Sequence, residues 1–281
     1  MEVLHSKESL QQKILRFREE NKSIGFVPTM GALHEGHLSL MECSNRQNDI
    51  TVVSVFVNPT QFNRRDDFEK YPRDLTSDLQ QLEEAGCDVA FTPSEKEMYP
   101  EEDHRTFDFG HLDQVMEGHH RPGHFNGVAR IVSKLFEAVT PDRAYFGEKD
   151  FQQLAIIRAL VRQMNDSIEI IGCPIIREAD GLAMSSRNAR LTPEQRKQAA
   201  EISRALFEAR DLMDRLTVEQ VKKRVVEHLN KNPLIDVEYF EIVDENNLQS
   251  IEKWDETPHK RGCIAAWVGE VRLIDNVKFS F

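Results

Sequence analysis

Apolar positions along the first 173 residues alternate between two spacings. Leu10, Ile14 and Phe17 recur at helical intervals behind Ser6, a residue suited to cap a helix, and predict a helix over residues 7–20. The short apolar run Ile24-Gly25-Phe26-Val27 predicts a buried strand, with Pro28 as its stop. Residues 50–57 read ITVVSVFV, continuous and rich in β-branched side chains, as expected of a central parallel strand covered on both faces. Helices predicted over 36–48, 74–85, 127–139 and 151–164 alternate with strands at 88–92, 144–147 and 168–172. This alternation predicts an α/β fold, a doubly wound parallel sheet of the Rossmann-like kind.

Near Pro174 the rhythm changes. Thr192-Pro193-Glu194 opens a charged helix predicted to run to about residue 215, because proline fits the first helical turn. A second helix over 218–230 precedes strands at 237–243, 262–268 and 270–274. Two helices followed by strands separated by turn residues predict a smaller C-terminal α+β domain. The expected division is 1–175 and 176–281.

The chain has 281 residues, 40% hydrophobic and 30% charged, enough to bury a core without covalent staples. Cys43, Cys87, Cys173 and Cys263 are scattered, with no CxxC pair. That spacing argues against a disulfide framework or a cysteine zinc knuckle and suits a reducing, cytoplasmic setting. The opening MEVLHSKESLQQK lacks the apolar centre of a secretory signal. No apolar run approaches the roughly 18 residues of a membrane span. With 36 basic against 48 acidic residues the formal charge is −12, which argues against nucleic acid as the main partner.

Four stretches carry chemistry. The first, Pro28 to His37, leads from a strand end through Gly31 and Gly36 into a helix, where free N–H groups can face a phosphate. His34 and His37 sit at that entrance; each can hydrogen-bond phosphate oxygens, and either could be cationic near neutral pH. The bland alternative is a glycine turn with two surface histidines. A metal reading lacks a third ligand, since His119, His120 and His124 lie in a loop expected to be remote. The second stretch, FVNPTQF, offers the amides of Asn58 and Gln61 to a small polar substrate, or is simply a turn. The third, YFGEKDFQQ, again passes from a strand through Gly147 into a helix. There Lys149 suits a phosphate, Asp150 a ribose hydroxyl or a helix cap, and Gln153 lies one turn inside. The fourth, Met184-Ser185-Ser186-Arg187, falls at the domain junction, where hydroxyls beside an arginine can hold a leaving polyphosphate, or where a linker simply passes.

With PTMGALHEGHLSL, FVNPTQF, YPRDL, RPGHFNGVA, YFGEKDFQQLA, READGLAMSSRN and RLIDN in this order, the sequence resembles the pantothenate synthetases, or pantoate–β-alanine ligases, over essentially its whole length. Its HxGH and MSSR segments are also similar to the two signatures of the wider adenylyl-transferring superfamily. The resemblance implies attack of the pantoate carboxylate on the α-phosphorus of MgATP, then displacement of AMP by the amine of β-alanine. It implies ATP at Met30, Gly31, Ala32, Leu33, His34, Glu35, Gly36 and His37, at Gly147, Glu148, Lys149 and Asp150, at Ile176, and at Met184, Ser185, Ser186 and Arg187. His34, His37, Lys149, Ser185 and Arg187 would carry catalysis, with His37 in the position usually given to a proton donor. Gln61, Gln153 and Asn58 would hold substrate. It further implies Mg2+ held largely by ATP oxygens, no dedicated protein metal site, and a homodimer. A phosphopantetheine-type adenylyltransferase shares HxGH but lacks the NPTQ loop and second domain. A tRNA synthetase is disfavoured by length and charge, and a non-catalytic ATP sensor would release no pyrophosphate.

Overall fold

The computed structural model describes residues 1–279. Six parallel strands form one sheet in the order β1 (Glu2–Leu4), β4 (Val89–Phe91), β3 (Ile50–Val55), β2 (Ile24–Thr29), β5 (Arg143–Gly147), β6 (Glu169–Cys173). Side chains on a strand alternate between faces, and the two cores follow that alternation. Phe26, Val52, Phe91 and Phe146 pack with helices α1 (Lys7–Glu19), α7 (His124–Val139) and α8 (Phe151–Met164). Their neighbours Val27, Val53, Ala90 and Tyr145 pack on the other side with α2 (Glu35–Gln47) and α4 (Leu75–Glu84). Burial on both faces explains why these strands read as continuous apolar runs. Helix α7 is the most deeply set, with 12 of its 16 residues buried.

The chain winds outward from β2 through β3 to β4, then returns to the other side of β2 for β5 and β6. The order therefore reverses between β2 and β5. In open α/β sheets ligands bind in the crevice beyond the carboxyl ends of the strands at such a reversal.

A second sheet, antiparallel in the order β7 (Ile235–Asp244), β8 (Lys260–Val268), β9 (Val271–Lys278), packs against α9 (Pro193–Arg210) and α10 (Val218–Leu229). Thr192 and Thr217 each cap their helix in a reciprocal box with the glutamine three residues on. The two units meet through buried polar contacts. Arg272 forms a bidentate pair with Glu117 (2.8 and 2.7 Å), and the Tyr239 hydroxyl donates to the same carboxylate at 2.9 Å. Glu117 lies in α6 (Met116–His120).

Several boundaries differ from the sequence reading. Strand β2 runs through Pro28 to Thr29. Its ladder with β5 ends at Phe26, while pairing with β3 continues through Pro28–Ser54, so the proline sits where one side of the strand is free. Helix α9 ends at Arg210 and not near 215, because Asp211 and Asp214 bring negative charge to the negative end of the helix and residues 211–215 close as tight turns. The edge strand β1 has three residues, too few for a periodic signal. Short helices α3 (Arg65–Glu69) and α5 (Glu95–Met98) also escape the pattern. Among the described residues no helix is long and apolar enough to cross a membrane.

Candidate functional site

The turn after β2 is held from behind. Gly31 and Ala32 take left-handed backbone conformations (φ +77° and +51°). Asp78 of α4, itself buried, accepts the N–H groups of Ala32 at 3.0 Å and Leu33 at 2.8 Å. A Cβ at residue 31 would lie 2.6 Å from the same carboxylate, which accounts for the glycine.

That turn delivers His34 to the start of α2. Its Nδ1 caps the helix by accepting the N–H of Gly36 at 3.1 Å, so the neutral ring carries its proton on Nε2. His37 follows one turn on, the two rings 4.1 Å apart and tilted by 39°. A Cβ at residue 36 would come within 2.8 Å of the His34 ring, so the position of that ring over the helix start requires glycine there. The Nδ1 of His37 is buried without a hydrogen-bond partner among the described residues. An unsatisfied buried polar atom is costly, and in a cavity wall it is a place for a ligand.

Burial, and then the Lys149 charge, pull the His34 pKa down to about 4. Burial, then His34 and Lys149, pull His37 to about 3. Both rings are therefore neutral near pH 7. Of the two charge states open to an imidazole near neutral pH, the neutral one is favoured here, because removing an imidazolium from water beside a lysine disfavours its charge.

Beyond β5 the chain turns over residues 148–150 and enters α8. Lys149 Nζ lies 3.6 Å from the Asp150 carboxylate. Asp150 stands at the N-cap position of α8 but caps no N–H, which leaves its carboxylate available. The turn is gripped from β9, where the Asn276 amide donates to the carbonyl oxygens of Glu148 (2.9 Å) and Lys149 (3.0 Å).

Beyond β3, Asn58 is almost completely buried and spends its amide on the protein. It donates to the Gly127 carbonyl at 3.1 Å and to the Gln61 side chain at 3.2 Å, and accepts the Tyr99 hydroxyl at 2.8 Å. Asn58 thus orients Gln61. His124 lies outside the lining of the main cavity, and in a helix where the sequence reading expects a loop. It begins α7, and its Nδ1 meets the Gln61 backbone oxygen at 2.8 Å.

The segment from Ser185 to Arg187 closes the fourth side. Ser186 donates to the Ala32 carbonyl at 3.1 Å. Arg187 pairs with Asp67 of α3 at 2.8 Å, and Arg190 with the same carboxylate at 2.6 Å.

These walls enclose a cavity of about 210 Å³ at the sheet reversal. Of the sequence-predicted residues it brings together Met30, His34, Gly36, His37, Asn58, Gln61, Gly147, Lys149, Asp150, Gln153, Ile176, Met184, Ser185, Ser186 and Arg187. Five expected nucleotide contacts do not line it. Ala32 and Leu33 give their N–H groups to Asp78, Gly31 gives its own to the Thr29 hydroxyl at 3.2 Å, Glu35 is exposed, and Glu148 pairs with Arg261 at 3.2 Å. Asp78, Asp67 and Asn276 were not found from the sequence. RLIDN carried the only trace of them, as part of the resemblance. Two neutral imidazoles, a lysine, an arginine and two serines opposite a pair of glutamines can neutralise phosphate charge while orienting a small hydroxylated acid.

The family described as pantoate-beta-alanine ligase matches residues 2–278. The chain is 55% identical to the pantothenate synthetase of Bacteroides thetaiotaomicron over 279 residues, 99% of each chain. Its likeness to the Porphyromonas gingivalis protein of the same name is also 55% over 279 residues, again 99% of each. Among solved structures, the pantothenate synthetase of Thermus thermophilus superposes with a TM-score of 0.94 at 42% identity, covering 100% of both chains. The Francisella tularensis pantoate-beta-alanine ligase, complexed with beta-gamma ATP and beta-alanine, gives 0.84 at 34% identity, covering 99% of this chain and 98% of that one.

Proposed function

The chain belongs to the pantoate–β-alanine ligase family and is an ATP-dependent ligase joining pantoate to β-alanine; from that premise we propose how its residues divide the work. The reaction has two halves. A pantoate carboxylate oxygen bonds to the α-phosphorus of ATP as the bond to the bridging oxygen of pyrophosphate breaks. The β-alanine nitrogen, freed of one ammonium proton, then bonds to the acyl carbon of pantoyl adenylate, AMP leaves as the acyl–oxygen bond breaks, and the nitrogen gives up a second proton and keeps one as the amide N–H. Activation is required because a free carboxylate would have to expel oxide.

The observation that carries the assignment is the close His34–His37 pair lining one cavity with Lys149 and Arg187 at the sheet reversal. In-line attack at phosphorus needs positioning and charge neutralisation more than covalent help. Lys149 and Arg187, with Ser185 and Ser186, hold the phosphates, and the outward N–H of His34 donates to them. Met30, Gly36, Gly147, Ile176 and Met184 shape the nucleotide pocket, and the Asp150 carboxylate, which caps no N–H of its helix, takes the ribose hydroxyls. Gln61 and Gln153 hold pantoate, with Asn58 fixing Gln61. His37 is neutral, so in the first half it serves as a hydrogen-bonding partner. The carboxylate arrives ionised and has no proton to lose. In the second half the same neutral ring can take a proton from the attacking amine.

Mg2+ enters with ATP and supplies further neutralisation of phosphate charge. This ion would be carried largely by nucleotide oxygens and water, since it keeps several waters and takes few protein ligands. Residues 1–175 form the nucleotide and pantoate domain, and 176–281 the cover that keeps the adenylate from water. The protein works as a cytoplasmic homodimer. Four free thiols suit a reducing compartment, and sedimentation tests the dimer.

The deciding experiment is mass spectrometry of reactions with ATP, Mg2+, pantoate and β-alanine, each omitted in turn. Pantothenate and AMP should require all four. Omitting β-alanine should leave pyrophosphate and pantoyl adenylate on the enzyme. Pyrophosphate release without pantoate would overturn the assignment.

A further inference from the structure

Two arginines converge on one carboxylate beside the main cavity. Arg187 Nη2 donates to Asp67 Oδ2 at 2.8 Å, and Arg190 Nη1 donates to Asp67 Oδ1 at 2.6 Å. Among the described residues neither guanidinium has another hydrogen-bond partner, yet only Arg187 lines the cavity. Both arginines lie in the turn Ser186–Arg190, whereas Asp67 comes from α3, 120 residues before Arg187. The pairing leaves most of Arg187 unspent. One N–H group meets Asp67, and because the guanidinium is a rigid planar fork, that contact sets the direction of the others.

The charges are matched as well. An aspartate alone beside Arg187 would cancel the positive charge that a phosphate needs. Arg190 removes that difficulty, because one carboxylate shared by two guanidiniums leaves the cluster positive. Burial works to raise the Asp67 pKa, but the two arginines outweigh it and hold the carboxyl below its ordinary range. The segment around α3 has other anchors. Arg64 lies over the Trp267 ring at 5.8 Å, Asn63 donates to the Pro122 carbonyl at 2.7 Å, and the Phe62 and Phe68 rings meet edge-on at 5.4 Å. Loss of the Asp67 charge should therefore leave this segment folded.

Resting on the reading above, in which Arg187 holds the phosphates, we propose that Asp67 is a positioning residue for the pyrophosphate leaving group. It fixes the direction of the Arg187 guanidinium, and Arg190 offsets its charge so that Arg187 keeps its own for the phosphates. Asp67 and Arg190 act through Arg187 and not on substrate themselves.

The balance of charge supplies a test that a merely structural role would not pass. Pantoate-dependent exchange of labelled pyrophosphate into ATP gives the KM for pyrophosphate. Asp67→Asn loosens the aim of Arg187 and Arg190→Gln leaves the Asp67 charge uncompensated, so each should raise that KM at least about threefold. In the double variant the uncompensated charge is gone. Its KM should therefore lie at least about twofold below that of Arg190→Gln, although it carries one more substitution. Aminolysis of preformed pantoyl adenylate by β-alanine involves no pyrophosphate and should stay within about twofold of wild type in all three. An unchanged KM in either single variant, a double variant no better than Arg190→Gln, or equal losses in aminolysis would each overturn the proposal. Failure of the parent reading looks different: Arg187→Gln would leave the KM for pyrophosphate unchanged, or wild type would show no pantoate-dependent exchange.

Discussion

The Nδ1 atom of His34 accepts the backbone N–H of Gly36 at 3.1 Å, so one imidazole both caps α2 and lines the cavity with its Nε2 left without a protein partner among the described residues. These roles separate by substitution. Asparagine is a good N-cap but is too short to replace the outward donor. His34→Asn should therefore leave thermal stability within a few degrees of wild type while pyrophosphate exchange falls at least about tenfold, or roughly 1.4 kcal/mol. His37→Ala and Lys149→Ala should each cost at least as much. Near-normal exchange in any of the three would remove that residue from the assignment.

The neutral imidazoles give acid sensitivity a definite sign. Burial sets His34 at about 4, and His37 and His124 at about 3, below the ordinary 6.5. Above pH 6.5 neither folded nor unfolded chain holds a proton there, and stability is complete. Between 6.5 and about 4 the unfolded chain takes up protons that the folded chain refuses. Stability then falls with pH by up to about 1.4 kcal/mol per unit for each imidazole. Urea midpoints should drop from pH 7.5 to 5, with a shallower drop in His124→Gln. Midpoints that stay level over this range would show that the rings titrate normally.

Much of the site was legible because its pieces are local. Each strand–glycine–helix turn lies within about ten residues, and the fold needs only to bring strand ends together, which a doubly wound sheet does at its reversal. What stayed hidden is the support behind those turns. Asp78 grips a loop 46 residues away, Asp67 meets Arg187 across 120 residues, and Asn276 reaches Lys149 across 127. No periodicity encodes such contacts, and in sequence these side chains look like ordinary polar residues. The charge state of His34 and His37 stays open in the sequence for the same reason, since it depends on burial.

The Asn276 contact predicts that the second domain positions the phosphate lysine. The amide is satisfied on every side, donating to the Glu148 and Lys149 carbonyls and accepting from Arg261 at 2.6 Å. Asn276→Asp keeps the shape but replaces the two donations with repulsion between oxygens. The KM for ATP should rise several-fold or more. Aminolysis of preformed pantoyl adenylate by β-alanine should be little affected, because Lys149 acts on the phosphates. Combined with Lys149→Ala the change should add almost nothing. Equal losses in both half-reactions, or full additivity, would make Asn276 a packing residue only.

Gly127 shows how packing reaches the substrate amides. It lies in α7, where alanine would normally favour the helix by about 1 kcal/mol. Here a Cβ would lie 2.2 Å from the carbonyl oxygen of Thr60 and 2.8 Å from the Cα of Gln61, both backbone atoms that cannot rotate away. The Gly127 carbonyl also accepts from Asn58, so any shift of the helix is passed to the residue that orients Gln61. Overpacking of this kind costs about 1–3 kcal/mol, enough to outweigh the helix preference. Gly127→Ala should therefore lower Tm and raise the KM for pantoate. Gly147 offers the contrast for stability, since a Cβ there meets nothing within 4 Å. Gly147→Ala should melt close to wild type. If Gly127→Ala proved as stable as Gly147→Ala, the contact between α7 and the turn after β3 would be looser than these distances require.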